Sequence, residues 1–221
     1  MMIKVDELVR SRRRTIAIEV RRDASVVVRA PYRASKSLIN HFVHEKRGWI
    51  ARKQESARKR VRVEKMFVDG EEFLYLGCSY KLSIVDNVQR PLSFDGRFLL
   101  SLDHAVEGRS HFIEWYSGEA RRVLSERVER FAAAAGLPYK CVRITRALTR
   151  WGSCGVKGSL NFSWRIMMLP PHIIDSIVAH EVAHLAVRNH SQRFWRRVGE
   201  IFPDYRECER WLRENDYRLS L

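Results

Sequence analysis

Nowhere in the 221 residues is there an apolar run of about 18 residues, so no transmembrane helix is expected. The amino-terminal stretch MMIKVDELVRSRRR also lacks the apolar segment and small-residue cleavage site of a signal peptide, which gives a cytoplasmic expectation. Cysteine is sparse. Cys78, Cys141, Cys154 and Cys208 stand apart and no two form a C-x-x-C pair, which excludes a cysteine-based zinc finger and makes a disulfide framework an unneeded assumption. No glycine-rich phosphate loop, internal repeat or low-complexity tract is present. Acidic residues are outnumbered, 26 against 41 lysines and arginines. With 45% hydrophobic and 30% charged residues, what remains is a soluble, globular composition long enough to bury a sizeable core.

The positive charge is unevenly placed. Residues 1–65 carry 19 lysines and arginines against 7 acids, residues 66–140 carry 9 against 11, and residues 141–221 carry 13 against 8. A field concentrated at the amino-terminal end fits an anionic partner, whether nucleic acid, a nucleotide or an acidic protein, or else serves solubility. Two clusters stand out: Arg10, Arg12, Arg13 and Arg14, and then Arg52, Lys53, Arg58, Lys59, Arg60 and Arg62.

The β-branched segments TIAIEV and SVVVRA predict a hairpin over residues 15–31, joined at Arg21–Ala24. Ser35 is the expected N-cap of one long helix running to about Arg60. Short strands follow between Met66 and Leu102, divided by Gly70, Gly77, Pro91 and Gly96. A second long helix is predicted over His111–Ala135 and stops at Gly136. Strands near Val142–Thr145 and Ser159–Arg165 lead to a helix opened by Pro170-Pro171, then helices near Gln192–Ile201 and Tyr205–Asn215. The layout is α+β, with a small basic hairpin-helix unit over 1–65 and a catalytic domain over 66–221.

The chemistry concentrates in His180-Glu181-Val182-Ala183-His184. Residues four apart on a helix lie about 40° apart around its axis, one turn up, so both imidazoles can reach one ion. Glu181 is offset from that line, where a carboxylate can take a proton from water beside the metal. A catalytic zinc needs three protein ligands and one open position. His190 is the expected third, because Asn189 allows the chain to turn, and Glu200 is the rival carboxylate. His41 and His44 are three apart on a helix without a third partner. This reading makes the protein a Zn²⁺-dependent hydrolase, with His180, His184 and His190 as metal ligands and Glu181 as general base.

A wider set of motifs resembles the YgjP-like metallopeptidase family, relatives of the SprT-like zincins. The motifs are Arg12–Ile16, Val27–Pro31, Trp49-Ile50, Tyr75-Leu76-Gly77, Arg150-Trp151-Gly152-Ser153-Cys154, Leu160–Arg165, HEVAHLAVRNHSQRFW and Pro203-Asp204-Tyr205. The resemblance implies a zincin-like catalytic domain, the same four site residues and a protein or peptide substrate. It also leaves open a metal-dependent UTP pyrophosphatase. A third reading is a nucleic-acid-binding module with a structural zinc, which would have no use for Glu181. The ligand spacing matches the metzincin pattern, but Val187 stands where that pattern has glycine, and Met167 and Met168 precede the motif. Arg150–Cys154 could line a substrate groove, supply a fourth contact or pack in the core. Tyr205 and Arg165 are candidate oxyanion stabilisers, and Asp204 is the candidate acceptor behind a ligand histidine.

Overall fold

The computed structural model describes residues 3–21, 23–59, 65–86, 89–215, 219 and 221, and the side chains of 56, 58 and 59 lie outside that description. The chain is α+β and divides into two compact units, Met1–Val63 and Glu64–Leu221.

The first unit is built on β1 (Glu7–Ser11), β2 (Ala17–Val20) and β3 (Val26–Pro31), with β3 central, parallel to β1 and antiparallel to β2. The expected hairpin is β2–β3; β1, an added strand, already contains Arg10. Arg10 is therefore not a free surface charge. Its guanidinium donates to the carbonyls of Pro31, Tyr32 and Ala34 at 3.1, 2.9 and 2.8 Å, which fixes the exit from β3. The single helix expected over 35–60 is instead two, α1 (Lys36–Glu45) and α2 (Arg47–Lys59). Ser35 does cap α1, its hydroxyl accepting from the Leu38 amide at 3.1 Å. The break falls at Lys46, whose amide reaches the Phe42 and His44 carbonyls in a tightened last turn, and Gly48 just beyond weakens continuation. Val26, Val28, Ala30, Ile39, Val43 and Ile50 make this unit's core. Of the second basic cluster, Arg52 and Lys53 are exposed on α2. Arg60 and Arg62, and the side chains of Arg58 and Lys59, lie outside the described residues.

The second unit opens with a four-stranded sheet of β4 (Glu72–Tyr75), β5 (Cys78–Val85), β6 (Leu92–Phe94) and β7 (Phe98–Ser101), in the order β4-β5-β7-β6. After a 3-10 turn at Leu102–Glu107, α3 (Gly108–Ala135) runs through the centre. It buries Phe112, Tyr116, Ala120, Leu124, Val128 and Ala132, one residue every four, a stripe that keeps one face on the core along its length. Gly136, at φ 65°, closes the helix in the left-handed conformation that the sequence anticipates. A second sheet joins β8 (Cys141–Thr145), β9 (Gly152–Cys154) and β10 (Ser159–Ser163) in the order β8-β10-β9, so β9 is an edge strand. The helices α4 (Pro171–Ala186), α5 (Gln192–Ile201) and α6 (Tyr205–Asn215) complete the unit.

The start of α4 is held by the β4–β5 turn. The Leu76 amide donates to the Met167 carbonyl at 2.7 Å. Gly77, at φ 84°, lies so close to Pro170 that an added Cβ would meet its Cα at 2.9 Å. Only glycine satisfies both the backbone sign and that approach. The other side of α4 is fixed to α3 by Asp175, which pairs with Arg127 and with Arg130. Among the described residues no helix is long and apolar enough to cross a membrane.

Candidate metal centre

The core-facing side of α4 is fully buried, with Ile173, Ile174, Val178, Ala179, Val182 and Ala183 at 0% exposure. An apolar helix in that position supports polar side chains only where they find partners. His180 and His184 lie one turn apart on it, and the helix ends at Val187, whose extended backbone starts the reversal into α5. His190 precedes the α5 cap Ser191 and is returned toward α4. The reversal expected at Asn189 thus takes place within Val187–Ser191.

The three histidines converge. One ligand nitrogen from each lies within 4.8 Å of the other two. His180 Nε2 and His190 Nε2 are 3.1 Å apart. Two nitrogens bound tetrahedrally at about 2.05 Å would be about 3.3 Å apart, so the pair already stands near the spacing one ion requires. His184 Nδ1 is 3.0 Å from the Val187 carbonyl, to which only an N–H can donate, leaving Nε2 as the free acceptor. The orienting acceptor for this ring is therefore a backbone carbonyl at the helix end and not Asp204. Burial, then its histidine neighbours, push the His180 pKa down to about 4, and burial lowers that of His184. Both shifts favour the neutral form of the ring, with a lone pair available to a metal. A set of three imidazoles suits zinc and similar transition ions, and not Mg²⁺ or Ca²⁺, which favour oxygen.

Glu181 is 5% exposed, and its Oε2 has no hydrogen-bond partner among the described residues. Burial pushes its carboxyl up to about 8, with the Arg150 charge acting in the opposite direction. Against it lies β9. A Cβ built on Gly152 would fall 2.6 Å from Glu181 Cγ and Oε1. The glycine of the Trp151-Gly152-Ser153-Cys154 run thus makes room for the carboxylate, a role that linear spacing gave no means to assign. Trp151 and Cys154 are half-buried against the core, so the run both packs and borders the site.

The site has an aromatic floor. Phe194, fully buried, stacks on His184 with centroids 4.3 Å apart and meets His180 and His190 edge-on at 4.9 and 4.8 Å. Trp195 lies 5.7 Å from both His180 and His190 and stacks in turn on Tyr205. Phe194 and Trp195 thus lie against the imidazoles and fix the ring planes. Arg188 clasps the rim, donating to the carbonyls of Gly155 and Val156 at 2.7 Å each, and so ties the end of β9 to the loop that carries His190.

The remaining expected residues lie elsewhere. Glu200 pairs with Arg197 at 2.9 Å and is not among the converging ligands. Arg165 is 5% exposed, with its guanidinium donating to the Leu148 and Leu219 carbonyls and lying 4.7 Å over Trp151. Tyr205 is 9% exposed and its hydroxyl accepts from Arg206. Both are structural.

Among known proteins, the family model described as YgjP-like, metallopeptidase domain, matches residues 14–215. Similar solved structures include the metallopeptidase zymogen abylysin of Pyrococcus abyssi, 24% identical, covering 41% of this chain and 93% of that one with a TM-score of 0.38. Another is the metallopeptidase zymogen jannalysin of Methanocaldococcus jannaschii, 13% identical, covering 41% and 94% with a TM-score of 0.36. No curated protein matches the chain.

Proposed function

The chain belongs to the YgjP-like metallopeptidase family, and from that premise we propose that it is a zinc-dependent peptidase in which His180, His184 and His190 hold the metal and Glu181 is the general base. The observation that supports this most is the pairing of three imidazole nitrogens within 4.8 Å of one another with a buried carboxylate whose Oε2 is unpartnered. A structural zinc would need a closed set of ligands and would have no use for that carboxylate.

Zinc bound there supplies Lewis acidity, polarising a carbonyl and acidifying water. The chain's residues do the rest. Val187 fixes the His184 tautomer, and Phe194 and Trp195 hold the ring planes. Glu181 takes a proton from water as the water oxygen bonds the scissile carbonyl carbon. It then passes that proton to the departing amine nitrogen as the C–N bond breaks. Its dry position, against Gly152 and the apolar face of α4, favours holding the proton between the two steps, while a cation held by the three histidines would favour the ionised form that takes it.

The test is turnover of an unfolded protein by zinc-loaded enzyme, with UTP assayed in parallel. Glu181→Gln should retain stoichiometric zinc and lose about 10²–10⁴-fold in rate, and His184→Ala should lose the zinc itself. Near-normal turnover by Glu181→Gln, or full zinc in His184→Ala, would overturn the assignment. Release of pyrophosphate from UTP without peptide cleavage would transfer the same residues to a nucleotide substrate.

A further inference from the structure

Residues 1–65 carry 19 lysines and arginines against 7 acids, and the metal centre makes no use of that charge. Lysines and arginines alone would attract any polyanion. The surface of the first unit carries something more selective. Ile18 of β2, Phe42 of α1, Lys46 and Trp49 of α2 line one pocket of about 250 Å³. Ile18 and Phe42 are half-buried, whereas Trp49 is 38% exposed. Lys46 Nζ stands 6.0 Å from the centroid of the Phe42 ring, so a cation and aromatic faces share the pocket.

The charges continue along the helix from there. The Ile50 amide donates to the Lys46 carbonyl at 2.9 Å, so the chain is helical from Lys46 onward. Lys53, exposed, is four residues past Trp49 and therefore one turn on along the same side. From Lys46 to Lys53 the helix rises about 10 Å, farther than one phosphate group reaches. The neighbouring acids do not cancel these cations. Glu45 faces His41 at 3.7 Å, Glu19 beside Ile18 pairs with Arg29 at 3.2 Å, and Glu55, two residues past Lys53, points to another side of the helix.

The pocket and the charges together select among anions. An acidic polypeptide is satisfied by the lysines and has no use for aromatic walls. A duplex offers phosphates but keeps its base faces inside the stack. A single strand offers both an anionic backbone and unstacked bases, and aromatic side chains beside cations hold such strands with little regard to sequence. We propose that this pocket takes a base of single-stranded nucleic acid, the base lying against Trp49 with Phe42 and Ile18 beside it, while Lys46 and Lys53 meet flanking phosphates.

The experiment is fluorescence anisotropy of the full chain with a labelled thymidine oligonucleotide, with an abasic strand of equal length and with a duplex, over a series of salt concentrations. Wild type should bind the base-bearing strand at least about fivefold more tightly than the abasic one, a comparison that needs no variant. Trp49→Ala should weaken binding of the base-bearing strand about 5–150-fold at fixed salt and leave the abasic strand and the duplex within about twofold. Its slope of log affinity against log salt should match wild type, because no phosphate contact is lost. Trp49→Phe, which keeps an aromatic face, should recover most of the affinity. Lys46→Ala should instead reduce the slope by about 0.7, the share of one phosphate on a single strand. The proposal is overturned if wild type binds abasic and base-bearing strands equally, or if Trp49→Ala, with an unchanged melting temperature, stays within about twofold of wild type on the base-bearing strand. It is equally overturned if the loss in Trp49→Ala is as large on the duplex, on an acidic polypeptide or on anionic vesicles, which would give the pocket to that partner. Absent binding to any strand at low salt would overturn it together with a nucleic-acid role for the charge.

Discussion

Adding one methyl group at Gly152 should separate the carboxylate from its work without touching a metal ligand. The Cβ of Gly152→Ala would sit 2.6 Å from Glu181 Cγ and Oε1 and 2.8 Å from Cδ. Carbon contacts are ordinarily about 3.5–4.0 Å, so one side must retreat by about 1 Å. Glu181 stands on a buried helix face and cannot be displaced cheaply. Strand β9 is paired only with β10, through Leu160–Phe162, and yields more readily at its open edge. Either movement alters the distance between carboxylate and substrate. Overpacking of this kind costs about 1–3 kcal/mol, a drop of about 2–12 °C in melting temperature for a domain of this size. A misplacement of about 1 Å at a reacting group costs on the order of 10²-fold in rate. Gly118→Ala is the control, because Gly118 is exposed on α3 with nothing within 4 Å of its added Cβ. It should leave turnover unchanged and stabilise the helix by up to about 1 kcal/mol. The assay is steady-state peptide cleavage with zinc content and thermal unfolding measured on the same samples. A Gly152→Ala enzyme with turnover within about twofold of wild type and an unchanged melting temperature would refute the steric argument.

Arg165→Met should lower stability by about 2–4 kcal/mol, because it leaves the Leu148 and Leu219 carbonyls without their charged donor; denaturant unfolding at wild-type midpoint would remove Arg165 from the core network. The Glu119 carboxyl is held below its usual range first by the hydrogen bond from Arg122 and also by the Tyr75 hydroxyl, with burial opposing. Its contribution is therefore present above the usual carboxylate pKa and lost as pH falls through the lowered one. Thermal melts at pH 6 and pH 3 should differ less for Glu119→Gln than for wild type, and equal differences would count against the linkage. We further propose that the charge excess of residues 1–65 binds nucleic acid without sequence preference, with affinity falling steeply as salt rises. In fluorescence anisotropy with a labelled oligonucleotide, Arg52→Glu/Lys53→Glu should weaken binding, whereas Arg10→Ala should not, since Arg10 already serves three carbonyls. Absent binding at low salt would leave the charge without that role.

The order of elements in the second unit was legible because its signals are local. The Gly136 stop and the Pro171 start each act within a turn or two of chain, and α3 ends and α4 begins where those residues say they should. The candidate metal site was legible for the same reason. His180, Glu181 and His184 are adjacent on one helix, and His190 is one reversal away, so spacing alone brings them to one neighbourhood. The misread elements show the limit of that logic. Periodicity runs across Lys46 without a mark, although Gly48 and a tightened turn divide the helix there. Strand β1 has no hairpin partner next to it in sequence and exists through parallel pairing with β3 about twenty residues on. Around the site, tertiary structure alone decided which polar groups are already in use. A carbonyl orients His184, two carbonyls occupy Arg188, and two more occupy Arg165, while Glu181 Oε2 is left without a hydrogen-bond partner among the described residues. Residue type fixes what a side chain can donate or accept. Whether that capacity is consumed depends on backbone groups that are distant in sequence and carry no residue-specific signal, so only the folded chain separates a polar group already in use from one free to meet a substrate.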